Sequence, residues 1–303
     1  MIHIFIVNPY AGRKPFVDEL RDKLESIEGI EYYLFNIRNA GYEPTLIKRV
    51  LSIFKGEQLR FYCCGGSGTF RNMLNGFDNF ANVEIAFYPC GLTNDFLKVF
   101  GEKEKLFHDV EKLINGEIMQ VDYIKSNHGV AINTISTGLD SYSQSRMEDY
   151  RVLSLVNDQL PYNVSLVSAV LFSGNNEFKI VMDGEEFEEN FTEVVWSNGH
   201  VLGGMIYFDH NTNVQDGKGL FTCVKACRGY KRLRTLYALI TKKFNLGVPY
   251  LMRSQGTKIH ISKSDGSPFI VNYDGELLEP VTEIDAVLVK QGLNLVVPKG
   301  VRL

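Results

Sequence analysis

Residues 60–77 read RFYCCGGSGTFRNMLNGF: an apolar run, glycines at 65, 66 and 68, then a segment with helical character. A strand that ends in glycines and enters a helix leaves several backbone N–H groups aimed at one place, beside the positive end of the helix dipole. Glycine suits such a turn because an anion must approach the backbone with no Cβ in the way. The stretch is neither common nucleotide motif. A Gly-x-x-x-x-Gly-Lys-Ser/Thr loop needs a lysine, and none is present; a Gly-x-Gly-x-x-Gly fingerprint needs a third glycine where Arg71 or its neighbours stand. Ser67 occupies the middle of the turn. By itself the stretch fits a tight strand-to-helix turn as well as an anion site.

The surrounding rhythm sets the fold. HIFIVNP (3–9) reads as a strand, and PFVDELRDKLESI (15–27) spaces Phe16, Val17, Leu20, Leu24 and Ile27 as an amphipathic helix does. EYYLFNI (31–37) and EPTLIKRVLSIFK (43–55) repeat the cycle, with Pro44 suited to a first helical turn. The glycine stretch is the third cycle and VEIAFYPCGLTNDFLKVFG (83–101) the fourth. Strands alternating with helices predict a parallel sheet covered on both faces. In such a sheet the loop after Cys64 and the Pro89–Asp95 loop lie together at the carboxyl edge, where ligands bind.

Past about residue 121 the rhythm changes. Runs 121–136, 178–199, 219–227, 257–263 and 268–280 are β-like and punctuated by Asp-Gly and Gly turns, with helical patches at 164–172 and 230–244. The predicted fold is therefore an α/β N-terminal domain (1–122) and a β-rich, mainly antiparallel C-terminal domain (123–303). The last strand, about 292–303, is expected to be able to return to the first domain, and the active site to lie in the cleft between them.

At 303 residues the chain suits two domains. With 45% hydrophobic and 22% charged residues it reads as globular, and a net charge of −4 argues against nucleic acid as a partner. The opening MIHIFIVNPYAG lacks the basic leader of a signal peptide, and no apolar run is long enough for a transmembrane segment. Five cysteines without metal-ligand spacing (Cys63, Cys64, Cys90, Cys223, Cys227) predict reduced, mostly buried thiols, as in a cytoplasm.

GGSGTFRNMLNG followed by PCGLTNDFLKVFG resembles the Gly-Gly-Asp-Gly-Thr…Asn-Gly and Pro-x-Gly-Thr-x-Asn-Asp-Phe signatures of the diacylglycerol kinase catalytic-domain family, which includes bacterial lipid kinases and sphingosine kinases. VNPYAG, ISTGLDS, SNGHVLGG, NTNVQDGKGLF and VNYDGELLE are similar to further family segments, in the same order along the chain. The resemblance implies an NAD-kinase-like first domain and transfer of the γ-phosphoryl of ATP, with magnesium, to a lipid hydroxyl. It implies nucleotide contacts from Asn8, Gly65, Gly66, Ser67, Gly68 and Thr69 and from Thr93, Asn94 and Asp95. Asp95 and Asp122 would belong to the acidic network around the catalytic magnesium. Asp274 and Glu276 would be the catalytic carboxylates, with Glu276 the proton acceptor. Asn213, Asp216 and Lys218 would hold a second, structural magnesium. The partner implied is a lipid substrate at the membrane surface, met by a cytoplasmic protein at the inner membrane, with a homodimer open to it. The residue types suit the chemistry, since phosphoryl transfer needs alignment, charge neutralisation and a carboxylate for the alcohol's proton.

Several residues admit plainer readings. Asp-Gly-Glu occurs at 183–185 and 274–276, and a hairpin turn explains either copy; order along the family pattern selects the second. DHNTNVQDGKGL (209–220) is not a calcium-binding EF-hand loop, because Val214 and Leu220 stand where a glycine and a glutamate are needed. His200 and His210 have no nucleophile partner. Arg13, Lys14 and the basic run RGYKRLRTLYALITKKF (228–244) suit anionic lipid or a solvated helix face alike.

Two departures bear on activity. Ser67 replaces the aspartate of the family's glycine loop, and Leu92 replaces its threonine. Serine can hydrogen-bond but cannot balance a dication. The expectation is thus a lipid kinase, with two alternatives open: a nucleotide- or lipid-binding pseudokinase, and an NAD-kinase-like enzyme with a soluble acceptor.

Overall fold

The computed structural model describes residues 1–12, 16–39, 41–91, 94–156, 160–209, 212–246 and 249–303. Arg13, Lys14, Leu92, Thr93 and His210 lie outside the described residues.

The first third alternates as the periodicity predicts: β1 (Ile2–Val7), α1 (Phe16–Glu25), β2 (Glu31–Asn36), α2 (Glu43–Ile53), β3 (Leu59–Gly65), α3 (Ser67–Leu74) and β4 (Glu84–Pro89). The order β4-β3-β1-β2 is parallel throughout. Every residue of β1 and β3 is buried, as expected where helices cover both faces. Leu20 and Leu24 of α1 and Leu46, Ile47 and Val50 of α2 supply the covering. The segment predicted as a fourth helix is a 3-10 helix from Asp95 to His108, broken at Gly101, whose φ is +56°.

α4 (Val110–Ile114) leads into the second half: β5 (Glu117–Ser126), β6 (Gly129–Ala131), β7 (Thr134–Gly138), α5 (Leu139–Arg146), a 3-10 segment (Met147–Leu155), α6 (Leu160–Phe172), β8 (Asn176–Met182) and β9 (Glu185–Ser197). The chain continues through β10 (Val201–Leu202), β11 (Ile206–Tyr207), β12 (Gly219–Lys225), α7 (Tyr230–Ile240), β13 (Leu251–Gly256), β14 (Lys258–Lys263), β15 (Phe269–Tyr273), β16 (Glu276–Val281) and β17 (Glu283–Val297). Apart from the last strand, pairing here is antiparallel. Both helical patches of the sequence are present, at α6 and α7, whereas α5 and β13 carry no clear signal in the residues.

One strand joins the halves. β17 runs antiparallel to β14 and β5, then parallel to β4 through Asn294–Val296. At its irregularity between Val289 and Leu293, Gln291 has φ +47° and its N–H donates to Asp122 Oδ1 at 2.6 Å. A bulge leaves an unpaired ladder group. The fully buried Asp122 of β5 satisfies it, so this carboxylate fixes the kink by which β17 crosses from one half to the other.

Candidate active site

Three loops meet at the carboxyl edge of the parallel strands. After β1, the Asn8 amide donates from Nδ2 to Thr69 Oγ1 at 2.9 Å. After β4, Cys90 N donates to Gly65 O at 2.8 Å, and Gly91 lies so close that a Cβ built on it would stand 2.6 Å from Gly66 Cα. Asn94 adopts a left-handed φ of +43° and ties the loop by Nδ2 to Gly91 O at 2.8 Å. Between them Gly66 caps α3 with extended backbone and no side-chain acceptor. The first-turn N–H groups of Ser67, Gly68 and Thr69 therefore lack intrahelical partners and face the loop mouth. Ser67 Oγ is buried with no hydrogen-bond partner.

The sandwich half brings its acids to this edge. Both Asp-Gly turns are left-handed at both residues, with Asp183 at +49° and Gly184 at +93°, Asp274 at +50° and Gly275 at +91°. Each aspartate accepts backbone N–H groups from a neighbouring strand. Asp183 takes those of Thr257 and Lys258 at 2.8 and 2.9 Å, at the surface. The buried Asp274 takes those of Ile132, Asn133 and Thr134 at 2.6, 3.0 and 2.7 Å. The two copies share one structural role and differ in where the glutamate of each lies. Glu185 is exposed, whereas Glu276 lies against Gly68, where a Cβ would stand 2.9 Å from its Cδ.

A cavity of about 350 Å³ opens beside the glycine loop. Its polar wall holds Asp95, Asp140 and Asp274, all buried. Asp95 accepts Gly203 N and Gly204 N at 2.7 and 2.8 Å, which the positive φ of both glycines presents side by side. Asp140 Oδ2 accepts from Ser136 Oγ at 2.6 Å and Asn272 Nδ2 at 2.7 Å. Burial pushes Asp95 up to about 7 and Asp274 to about 6, and the charges of Asp140 and Asp274 add to the rise at Asp95. Burial likewise raises Glu276, while the Arg71 guanidinium holds it back. Arg71 rests 5.5 Å over the Tyr273 ring. The cavity's apolar lining includes Phe96, Leu202 and the stacked pair Phe70 and Phe87, 4.5 Å between ring centres.

The structure thus gathers Asn8, Gly65 to Thr69, Asn94, Asp95, Asp274 and Glu276 at one place. It does not bring Asp122 there. Both Asp122 oxygens accept backbone N–H groups, from Gln291 and from Gly217 at 2.7 Å, and Asp122 N donates to Val214 O at 2.7 Å. Asp122 belongs with the 213–218 loop, where Asn213 and Asp216 close short turns onto Gln215 N and Lys218 N. His200 is buried and stacked on Tyr207, outside the cavity lining. Residue-by-residue reading misses Asp140, Asn272, Arg71 and Tyr162, whose hydroxyl donates to Asp140 Oδ1 at 3.5 Å; the first three fall in the motifs ISTGLDS, VNYDGELLE and GGSGTFRNMLNG, and Tyr162 falls in none of them. It also misses Glu43, buried at the start of α2, whose carboxyl is raised by burial and by the Glu276 charge.

Comparison with known proteins agrees with this fold. The diacylglycerol kinase catalytic domain matches residues 3–126, and the YegS C-terminal NAD kinase beta sandwich-like domain matches residues 133–297. The chain is 26% identical over 158 residues to a Staphylococcus haemolyticus protein named "Putative lipid kinase", covering 52% of this chain and 51% of that one. A Bacillus subtilis protein with the same designation is 22% identical over 156 residues, 48% of this chain and 50% of that one. The chain spans about half the length of the curated relatives it matches.

Among solved structures, a "putative diacylglycerol kinase" of Bacillus anthracis aligns with a TM-score of 0.77 at 20% identity, covering 99% of this chain and 96% of that one. Yeast NADH kinase aligns at 0.50 and 12%, covering 98% and 82%. At such identities the likeness is one of fold. With one domain model on the glycine loops and the other on the sandwich that supplies Asp274 and Glu276, the chain belongs to the diacylglycerol kinase catalytic-domain family, in its two-domain form with a YegS-type C-terminal half.

Proposed function

We propose that the protein transfers the γ-phosphoryl group of ATP, with magnesium, to a hydroxyl of a diacylglycerol-like or other lipid. The observation that carries this reading is the placement of Glu276 against Gly68, which sets a half-buried carboxylate beside the N–H groups of the α3 N-terminus. Asn8 and the backbone from Gly65 to Thr69 hold nucleotide phosphate, and Asn94 shapes the adjoining loop. The acceptor oxygen bonds to the γ-phosphorus as the bond to the bridging oxygen breaks, and the hydroxyl proton passes to Glu276. Burial, which raises the Glu276 carboxyl, favours its proton-bound form and so suits a proton acceptor. Asp274 positions Glu276 by locking the turn that precedes it.

Asp95, Asp140 and Asp274 bring three buried carboxyl groups to one cavity, and Arg71 offsets only Asp274 among them. Among the described residues, the only group of three His, Cys, Asp or Glu side chains close enough to share an ion is His260, Glu283 and Asp285, none of which lines the cavity. The cavity residues fit a magnesium that Asp95 would hold by the lone pairs its Gly203 and Gly204 amide bonds leave free, together with nucleotide phosphate oxygens and water. Magnesium supplies charge neutralisation at the phosphates. For the second, structural magnesium, Asp216 keeps one carboxylate oxygen outside its turn, beside the backbone at Asn213 and Lys218.

The apolar lining of Phe70, Phe87, Phe96 and Leu202 favours an acceptor with a hydrocarbon chain over a soluble one. A non-catalytic binding role has one observation in its favour, the unpartnered Ser67 hydroxyl where the family carries an aspartate. Incubation with radiolabelled ATP, magnesium and mixed membrane lipids tests the reading. Label in the lipid phase is expected; nucleotide binding by calorimetry without transfer would favour the binding role, and label in a water-soluble product would favour a soluble acceptor.

A further inference from the structure

Helix α6 has the sequence LPYNVSLVSAVLF, without a single charged residue, yet it lies at the surface. Only Pro161, Ser165, Leu166, Ala169 and Val170 are buried. Val167 and Leu171 are exposed, and Phe172 is 74% exposed. A helix that is apolar all round belongs inside a protein or against lipid. Its neighbours extend the same face. The 3-10 segment that packs on α6 ends in Leu155, 86% exposed, with Val152 and Val156 also exposed. On the other flank Arg232 of α7 donates to Val170 O and Ser173 O, both at 3.0 Å, and so fixes α7 beside the end of α6. The outer side of α7 presents Tyr230, Leu233, Tyr237 and Ile240. Exposed apolar residues gathered on elements tied to one another mark an interaction surface, unlike scattered single residues.

Charge says what the surface meets. Lys231 and Arg234 are interleaved with the apolar residues of α7, and Arg228, Lys242 and Lys243 flank them. No aspartate or glutamate occurs from residue 226 to 253, although the whole chain carries −4. The acids on the 3-10 segment, Glu148 and Asp149, are paired with Arg151 and Arg146. A second copy of this chain would set one basic α7 against another across a twofold axis, which like charge disfavours. An anionic lipid surface matches both features. The same elements also line the cavity, through Met147, Arg151 and Ser154 of the 3-10 segment and Pro161 and Tyr162 of α6.

We infer that the 3-10 segment, α6 and α7 form one face that docks on a bilayer containing anionic lipid, with the cavity mouth turned toward the membrane. Leu155, Val167, Leu171 and Phe172 enter the headgroup boundary, and the α7 cations meet lipid phosphates. The orientation of the cavity rests on the lipid-kinase reading; the docking itself does not.

The test uses the full chain, without nucleotide, and vesicles of phosphatidylcholine alone or with phosphatidylglycerol. The expected result is sedimentation with the anionic vesicles only, weakened by salt, and a blue shift of emission from Phe172→Trp on binding. Leu171→Glu, Phe172→Glu and Arg234→Glu are each expected to lower the bound fraction about tenfold with unchanged thermal unfolding. Absence of binding at low salt would overturn the inference. So would variants that bind as the parent does, or a dimer in sedimentation equilibrium that Phe172→Glu renders monomeric. Vesicle binding without phosphoryl transfer sinks the kinase reading alone, and transfer to detergent-dispersed lipid without vesicle binding sinks this inference alone.

Discussion

Gly68, in the first turn of α3, lies in van der Waals contact with the carboxylate of Glu276, so that a Cβ at 68 would overlap Oε1. Glycine is required there by an approach from across the fold. Gly68→Ala is expected to push the flexible end of Glu276 aside, with little cost to the fold. Because a misplacement of about 1 Å at a reacting group costs on the order of a hundredfold, turnover should fall by about that much while the melting temperature stays near the parent's. Paired activity and melting measurements check this.

Glu276→Gln keeps the shape of the side chain and removes the proton acceptor. Turnover should drop about a hundredfold or more with nucleotide affinity preserved, the scale of a lost general base. Calorimetry with a non-hydrolysable ATP analogue, alongside single-turnover kinetics, separates the two effects. Full turnover in the variant would remove Glu276 from the mechanism.

The twin Asp-Gly turns allow an internal control. Asp274→Asn sets an amide NH2 against a backbone N–H in a buried site and should destabilise by about 2–4 kcal/mol. Asp183→Asn alters the same kind of clamp in water and should cost less than about 1 kcal/mol. Denaturant unfolding of both variants gives the comparison.

Asp95 ties stability to pH. Its folded pKa of about 7 lies above the ordinary carboxylate value of 3.8, so the folded state holds a proton that the unfolded chain releases. That stabilisation is present below about pH 4 and lost as pH rises to about 7. Asp95→Asn should therefore flatten the decline in melting temperature across this window, whatever its effect on absolute stability. An unchanged pH profile in the variant would show that Asp95 is ionised throughout.

Ser67→Asp restores the family's acid beside Asp95 and Asp274. Without metal the added buried charge should lower the melting temperature, and magnesium with nucleotide should raise it more than in the parent protein. Equal metal responses in the two proteins would place residue 67 outside any ion's reach.

Much of this was legible along the chain. Apolar strands with amphipathic helices between them specify β1, β3 and β4, because burial on both faces leaves an apolar run that nothing else explains, while β2 at the end of the strand order has no buried residue. The glycines at 65, 66 and 68 mark the loop, since only they let two loops and a side chain crowd one helix end. Asp140, Tyr162 and Asn272 were not legible as site residues. Nothing within ISTGLDS says that its aspartate will line a cavity, because the partners of Asp140, Ser136 and Asn272, lie on different strands. Asp122, expected in one network with Asp95, is claimed by Gly217 N and Gln291 N, and the residues around it in sequence do not say which backbone amides will claim a carboxylate.

The sequence by itself determined the alternating first half, the change of period near residue 121, the Asp-Gly hairpins and the order of motifs, because these rest on local periodicity and turn chemistry. Tertiary structure decided which Asp-Gly-Glu faces the glycine loop, that Asp122 fixes a strand crossing, and that an uncharged helix lies exposed beside a basic one. Those outcomes depend on contacts between residues far apart in the chain, and on which buried amides and charges are left for each side chain to meet.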